Sequence, residues 1–351
     1  MPIFAPMPNH QHYMQRCLDL AQQGAGLVAP NPLVGAVLVY EDRIIGEGWH
    51  QQYGGAHAEV HCVQSVSLAD KHLIPQSTLY VSLEPCSHFG KTPPCTNLII
   101  EQCIPRVVIA MQDPFAKVNG AGIAQLQAAG IEVLVGVLEK EARALNKAFL
   151  TFHQQQRPLV TLKWAQTADG FIGKTDSRLL ISNDTTNRMV HQLRAHHAAI
   201  LIGTNTAMID NPSLTNRHWP GPSPVRLVLD LQDRLPNDLH LFQDGLPITV
   251  FSAQRSGIAG VVNYVQLHPD TAIIPQILHW CFTQGFNSLL VEGGAQLLQS
   301  FIASCQWDEA IVITNTALRA EDGIVAPELA TAALVKEINY ATDSIQYFRC
   351  L

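Results

Sequence analysis

At 351 residues the chain is too long for one ordinary hydrophobic core, so two domains are expected. Its 47% hydrophobic and 15% charged residues describe a globular protein with ample apolar material, and no apolar run reaches the roughly 18 residues of a membrane span. The net charge of −7 is shared by both halves, with 9 Lys+Arg against 12 Asp+Glu in residues 1–150 and 13 against 17 in residues 151–351; neither half has the basic excess that a nucleic-acid partner demands.

Residues 1–12 lack the basic stretch followed by an apolar one that marks a signal peptide, and read as a short tail. Eight cysteines in a long chain without an export signal predict free thiols and a cytoplasmic protein. Six of them read as small buried hydrophobes, leaving Cys86 and Cys95 to be argued separately.

The first 150 residues alternate in pattern. Residues 12–23 carry Met14, Cys17, Leu18 and Ala21 at helical spacing and stop at Gly24. The apolar run Asn31-Pro32-Leu33-Val34-Gly35-Ala36-Val37-Leu38-Val39 has strand length, and Glu41-Asp42 turns it into a second strand over 43–49. Gly54-Gly55-Ala56 leads into a helix over 58–66, with His57 and Glu59 at its first turn. A strand over 78–83 ends at Glu84-Pro85-Cys86, and a helix beginning at Cys86 would favour its thiolate. Strands over 106–111 and 131–135 flank a helix over 122–129. This alternation predicts a three-layer α/β/α domain.

The chemistry-bearing stretch lies inside that domain: His57-Ala58-Glu59, then Pro85-Cys86, then Pro94-Cys95. One imidazole and two thiols leave a fourth tetrahedral position for water, whose pKa zinc lowers to about 7. A carboxylate two residues after the imidazole can pass a proton from that water to departing ammonia. H-x-E followed by Pro-Cys and a second Cys is the arrangement of zinc nucleobase deaminases. His57, Cys86 and Cys95 are therefore the candidate ligands, and Glu59 the candidate catalytic acid and base. Any one of these alone is more often structural; their joint occurrence carries the reading. A zincin-like pair of His57 and His61 is rejected because Ala58 stands where that motif needs Glu. A purely structural zinc would want a fourth ligand, for which His88 is the candidate.

These residues resemble the deaminase domain of the bifunctional riboflavin-biosynthesis deaminase/reductase family. The resemblance rests on Asn31-Pro32-Leu33-Val34-Gly35, His57-Ala58-Glu59-Val60-His61, Leu83-Glu84-Pro85-Cys86-Ser87-His88, Gly90-Lys91-Thr92-Pro93-Pro94-Cys95 and Met111-Gln112-Asp113-Pro114. The long interval between Cys86 and Cys95 separates this family from cytidine and tRNA deaminases, which are compact there. The resemblance implies a cytidine-deaminase-like domain over 8–150, zinc on His57, Cys86 and Cys95, Glu59 as proton shuttle, and pyrimidine contacts from Asn31 and His88.

In the second half, 152–158 is polar, ends in Pro158 and reads as a linker. Strands are predicted over 159–165, 198–202, 225–230, 248–251, 261–267, 288–291, 307–314 and 344–350, the last two closing the sheet, with helices over 187–194, 274–284 and 295–304. Thr167-Ala168-Asp169-Gly170 is a turn. Two strand-to-helix junctions, Gly203-Thr204-Asn205-Thr206 and Glu292-Gly293-Gly294-Ala295, are each weak alone; together they suggest a dinucleotide crevice. Neither is the G-x-G-x-x-G fingerprint. Arg194 and Arg217 are candidate phosphate ligands, although a solvated surface Arg is the commoner case.

This half resembles the reductase domain of the same family through Leu162-Lys163, Asp169-Gly170, Leu193-Arg194-Ala195, Gly203-Thr204-Asn205-Thr206, the stretch Asp210-Asn211-Pro212-Ser213-Leu214-Thr215-Asn216-Arg217, and Val291-Glu292-Gly293-Gly294. The resemblance implies a dihydrofolate-reductase-like α/β domain over 158–351. It places NADPH against Ala165, Thr206, Asp210, Gly294, Ala295, Gln296 and Leu297, and on to Ser300. Substrate contacts would fall to Arg194, Leu214, Arg217 and Glu292. Departures from the family pattern stand at Arg178, Leu179 and Leu180, at Leu231 and across 318–329.

The expectation is an enzyme of two consecutive riboflavin-pathway steps: hydrolytic deamination of a diamino-ribosylamino-pyrimidinone phosphate at zinc, then NADPH-dependent reduction of its ribosyl group to ribityl. The partner is this small pyrimidine ribose phosphate, with no nucleic acid and no membrane; self-association is left open. Competing readings are a deaminase with an inactive reductase-like domain, a tRNA or cytidine deaminase with an unrelated appendage, and a zinc-stabilised binding module.

Overall fold

The computed structural model describes residues 9–89, 93–114 and 119–351, so the Gly90-Lys91-Thr92 portion of one motif lies outside the described residues. The chain divides into two compact units that meet between Gln155 and Gln156.

The first unit runs α1 (His10–Gln22), β1 (Gly35–Tyr40), β2 (Arg43–Trp49), α2 (Ala58–Gln64), β3 (Thr78–Val81), α3 (Cys95–Glu101), β4 (Arg106–Ile109), α4 (Ala121–Ala128), β5 (Glu132–Val135), α5 (Glu139–Leu145) and α6 (Lys147–Gln155). Its sheet has the order β2-β1-β3-β4-β5, antiparallel through the β1–β2 hairpin and the β1–β3 pair, parallel from β3 to β5. Successive side chains of a strand point to opposite faces. Val37, Val39, Tyr80 and Val108 accordingly bury against α1, α5 and α6. Ala36, Leu38, Leu79, Val107 and Ile109 bury against α2, α3 and α4. Three layers result.

Two glycines set how close α2 lies to this sheet. A Cβ at Gly46 would sit 2.5 Å from the Cys62 carbonyl oxygen, and one at Gly48 would sit 2.3 Å from the Cys62 nitrogen and 2.5 Å from the Ala58 oxygen. The helix rests almost backbone to backbone on β2.

The second unit runs β6 (Leu159–Thr167), β7 (Phe171–Gly173), α7 (Asp184–His196), β8 (Ala199–Gly203), α8 (Thr204–Asp210), β9 (Val225–Leu229), α9 (His240–Gln243), β10 (Ile248–Ser252), β11 (Gly257–Ala259), β12 (Val262–Gln266), α10 (Ile273–Thr283), β13 (Ser288–Val291), α11 (Ala295–Ala303), β14 (Glu309–Asn315), β15 (Ile324–Val325), β16 (Ala332–Tyr340) and β17 (Asp343–Cys350). The main sheet has the order β11-β12-β10-β9-β8-β13-β6-β14-β17-β16, and β12 through β14 are all parallel. Strands buried on both faces read as continuous apolar runs, as Ala199–Ile202 and Leu289–Val291 do. One face packs Val160, Leu162, Leu201 and Leu289 against α10 and α11; on the other, Ile200, Ile202, Val228 and Leu290 pack near α8 and α9.

Three expectations need correction. The stretch read as a linker is mostly the last turns of α6, which extends to Gln155 because Phe149 and Leu150 anchor it in the core. The sheet does not close at 344–350: β16, antiparallel to β17, forms its edge. The helix expected at Cys86 begins instead at Cys95, after Pro94.

Candidate active sites

In the first unit three ligand atoms converge. The Nδ1 of His57 lies 3.5 Å from Cys86 Sγ and 3.3 Å from Cys95 Sγ, and the three atoms fall within 4.8 Å of one another. Bond lengths of about 2.1 Å to nitrogen and 2.3 Å to sulfur give a tetrahedral edge of about 3.6 Å, so the spacing and the donor set suit zinc. His57 stands at the N-cap position of α2, Cys86 follows β3 in a loop, and Cys95 opens α3. The Cys95 backbone N–H donates to Cys86 Sγ at 3.3 Å. Hydrogen bonds from the Cys95 thiol and from His57 hold the Cys86 thiol well below its ordinary pKa, which favours the ligating thiolate.

Glu59 is 3% exposed and faces the same cavity of about 370 Å³, whose wall also includes Asn31, His50, His57, Cys86 and His88. Burial raises its carboxyl pKa. Neither Glu59 nor His88 belongs to the converging group.

Two residues of this site escaped the sequence reading. His50 follows β2, accepts from Asn31 Nδ2 at 3.1 Å through Nε2 and donates from Nδ1 to the Ala56 carbonyl at 3.0 Å, an arrangement that requires the neutral ring. Burial lowers its pKa, in agreement. Glu84 is a buried anchor: its carboxylate accepts the backbone N–H groups of Asp113, Gly120, Gly122 and Ile123 at 2.9–3.2 Å. The available signal was an acid placed directly after an apolar strand, where charge is costly unless fully bonded.

In the second unit the two glycine-bearing junctions meet. β8 and β13 are neighbours, Gly203 N–H donates to the Gly293 carbonyl at 3.3 Å, and Gly294 N–H donates to Thr206 Oγ1 at 2.8 Å. Together they border a cavity of about 870 Å³. Thr206, Asp210, Gly294, Ala295, Gln296, Leu297 and Ser300 line it, and Leu179 and Leu231 add apolar wall where the family pattern is departed from. Ala165 is not part of that wall; it packs against Val190 and Ile311.

The residues expected to touch substrate are differently placed. Arg194 holds Glu292 in a two-pronged pair, Nε to Oε1 at 3.0 Å and Nη2 to Oε2 at 2.7 Å. Lys163 stands 3.8 Å from the same carboxylate. Burial alone would push the Glu292 carboxyl up, yet Arg194 and Lys163 hold it down at about 2. Leu214 turns its side chain into the core in a left-handed backbone conformation, φ 56°, leaving only its main chain for a ligand. Arg217 stays at the surface of the same segment, its backbone N–H bonded to His191. Lys163 was quoted in a motif without a role; a lone cation inside a buried apolar strand was the signal.

Residues 7–111 match the cytidine and deoxycytidylate deaminase zinc-binding region, and residues 158–318 match the RibD C-terminal domain. The chain is 40% identical to the riboflavin biosynthesis protein RibD of Bacillus amyloliquefaciens, over 85% of this chain and 82% of that protein. It is 38% identical to RibD of Aquifex aeolicus, over 96% and 95%. This chain belongs to the RibD family. A crystal structure of a diaminohydroxyphosphoribosylaminopyrimidine deaminase/5-amino-6-(5-phosphoribosylamino)uracil reductase from Thermotoga maritima superposes with a TM-score of 0.89 at 33% identity, covering 97% of this chain and 99% of that one. The fold class of the RibD family is the one observed: a cytidine-deaminase-like three-layer α/β/α unit and a dihydrofolate-reductase-like α/β unit. Zn2+ and NADPH are its cofactors. No helix among the described residues is long and apolar enough to cross a membrane.

Proposed function

We propose that this chain performs two consecutive steps of riboflavin biosynthesis: hydrolytic deamination of the diaminohydroxyphosphoribosylaminopyrimidine, then NADPH-dependent reduction of its ribosyl group to ribityl. The observation that carries the reading is the convergence of His57, Cys86 and Cys95 beside a cavity that His57, Cys86 and the buried Glu59 line. We place the protein in the reducing cytoplasm, where Cys86 and Cys95 remain thiols.

Zinc held by His57 Nδ1, Cys86 Sγ and Cys95 Sγ would supply a Lewis acid that makes a water nucleophilic near neutral pH. The chain's own residues do the rest. Glu59 takes a proton from the attacking water and gives it to the departing nitrogen; a C–O bond forms, the C–N bond breaks and ammonia leaves. Asn31, held by His50, and His88 wall the cavity on which the pyrimidine edge would rest.

In the second unit the larger cavity would take the NADPH. The Thr206 hydroxyl fixes the Gly294 amide, and the following N–H groups at the start of α11 offer donors to a diphosphate. The reduction delivers hydride to C1 of the opened sugar and one proton to the adjoining nitrogen. Glu292, held ionised by Arg194 and Lys163, is an anchor and not a proton donor. Asp210 lines the cofactor cavity and burial raises its pKa, so it is the better donor. Arg217 is the substrate phosphate contact.

The test combines zinc-loaded protein, the diamino pyrimidine phosphate and NADPH, following ammonia release and NADPH oxidation together. Both should proceed, oxidation lagging behind ammonia. Ammonia without oxidation would leave only the deaminase, and neither would sink the whole reading. Glu59→Gln should keep its zinc and lose ammonia release by about 10²–10⁴-fold; unchanged turnover would remove Glu59 from the chemistry.

A further inference from the structure

We propose that His191 is a positioning residue of the reductase half, holding the segment that carries Arg217 in the place where substrate is gripped. This rests on the reading of Arg217 as a substrate contact.

His191 lies on α7 and is 2% exposed, an unusual place for an imidazole unless it is bonded. Its Nδ1 accepts the backbone N–H of Arg217 at 3.0 Å, so the ring proton sits on Nε2. The ring also meets the imidazole of His218 edge to face, with centroids 4.6 Å apart. Three residues further along the same helix face, Arg194 donates Nη1 to the Thr215 carbonyl at 3.2 Å while its other nitrogens hold Glu292. One helix therefore grips the segment at two backbone points on either side of Asn216. From the far side, Asn216 Nδ2 bonds the carbonyls of Trp219 and Gly221.

Through Arg194 the same helix couples this segment to Glu292, the acid beside Lys163. Displacement by 1 Å of a substrate-gripping group costs about 10²-fold in rate, so the worth of this latch lies in geometry and not in direct contact. Burial, reinforced by the cations of Arg194 and Arg217 and by His218, holds the His191 pKa at about 4 and keeps Nδ1 an acceptor at neutral pH. A plain buried histidine would serve stability alone; the two readings differ in which kinetic constant moves.

The experiment uses full-length, zinc-loaded protein, with the deaminated pyrimidine phosphate and NADPH for the reduction and the diamino pyrimidine phosphate for ammonia release. His191→Leu keeps the volume and removes the acceptor; His191→Asn places Oδ1 where Nδ1 stood. His191→Leu should raise KM for the pyrimidine about tenfold, the equivalent of one lost hydrogen bond, and leave KM for NADPH and ammonia release within about twofold. His191→Asn should recover most of that loss. If His191→Leu does not fold, His191→Gln, whose amide reaches past the Nδ1 position, takes its place with the same expectation. Equal kinetics for wild type and the acceptor-less variant, or a fall in thermal stability with KM unmoved, would overturn the proposal. Arg217→Ala separates the two layers. A raised KM there with none for His191→Leu overturns the latch alone, whereas an unmoved KM for Arg217→Ala overturns the Arg217 reading and the latch with it.

Discussion

Glu292 shows how a single side chain can be confined without being neutralised. It is buried between Arg194 and Lys163, and its folded pKa of about 2 lies below the ordinary 4.5. A depressed carboxyl contributes stability that is present above about pH 4.5 and is lost as pH falls toward about 2. The shift corresponds to about 3 kcal/mol. Glu292→Gln should therefore flatten the acid limb of a plot of melting temperature against pH, and lower stability at neutral pH by about 3–5 kcal/mol because two buried cations lose their partner. An unchanged acid limb would mean that the cluster is more open to water than its geometry indicates. At this scale the sequence was legible where chemistry forces rare residue combinations: His57, Cys86 and Cys95, read together, do converge. It was silent where partners are brought together by folding: nothing in the spacing of Arg194 and Glu292 announces that they satisfy each other, and His50 looks like any polar residue after a strand.

Among the elements, the loop after β3 depends on one carboxylate. Four backbone N–H groups between Asp113 and Ile123 end on Glu84, two residues before Cys86. Unpaired buried donors cost about 1–3 kcal/mol each, so Glu84→Ala should destabilise the first unit by at least about 3 kcal/mol and weaken zinc binding, readable by calorimetry with and without the metal. Wild-type melting would show that the loop finds other acceptors. Continuous apolar strands and helices with one apolar face were readable from the sequence, as β1 and α10 illustrate. β16 was not, because it lies at an edge, is mostly exposed and carries a register shift between Leu334 and Lys336 that breaks the two-residue alternation. The end of α6 from Phe152 was mistaken for a linker because its last turn is His153-Gln154-Gln155, polar to the eye, while Phe149 and Leu150 a turn earlier fix it. The start of α3 at Cys95 follows from Pro93-Pro94, since Pro94 at the N-cap keeps the residue before it out of helical backbone.

For the molecule as a whole, two chemistries reside in two units with separate cores. Chelation should abolish ammonia release yet leave NADPH oxidation on the already deaminated substrate within about twofold, and zinc should restore the first. Loss of both activities on chelation would show that the metal also supports the second unit. The close seating of α2 on Gly46 and Gly48 has a consequence of a mechanical kind. The helix that presents His57 and Glu59 is located by clearance, by atoms that are not there. A methyl group at position 48 would act as a shim: Gly48→Ala must lift α2 off β2, because both obstructing atoms belong to the backbone. Such a protein would retain every ligand, acid and hydrogen-bonding group of the site and still deaminate about 10²-fold more slowly. Its fault would lie in alignment, invisible in any inventory of functional groups, and no trimming of a neighbouring side chain could repair it, because what the methyl group meets is main chain.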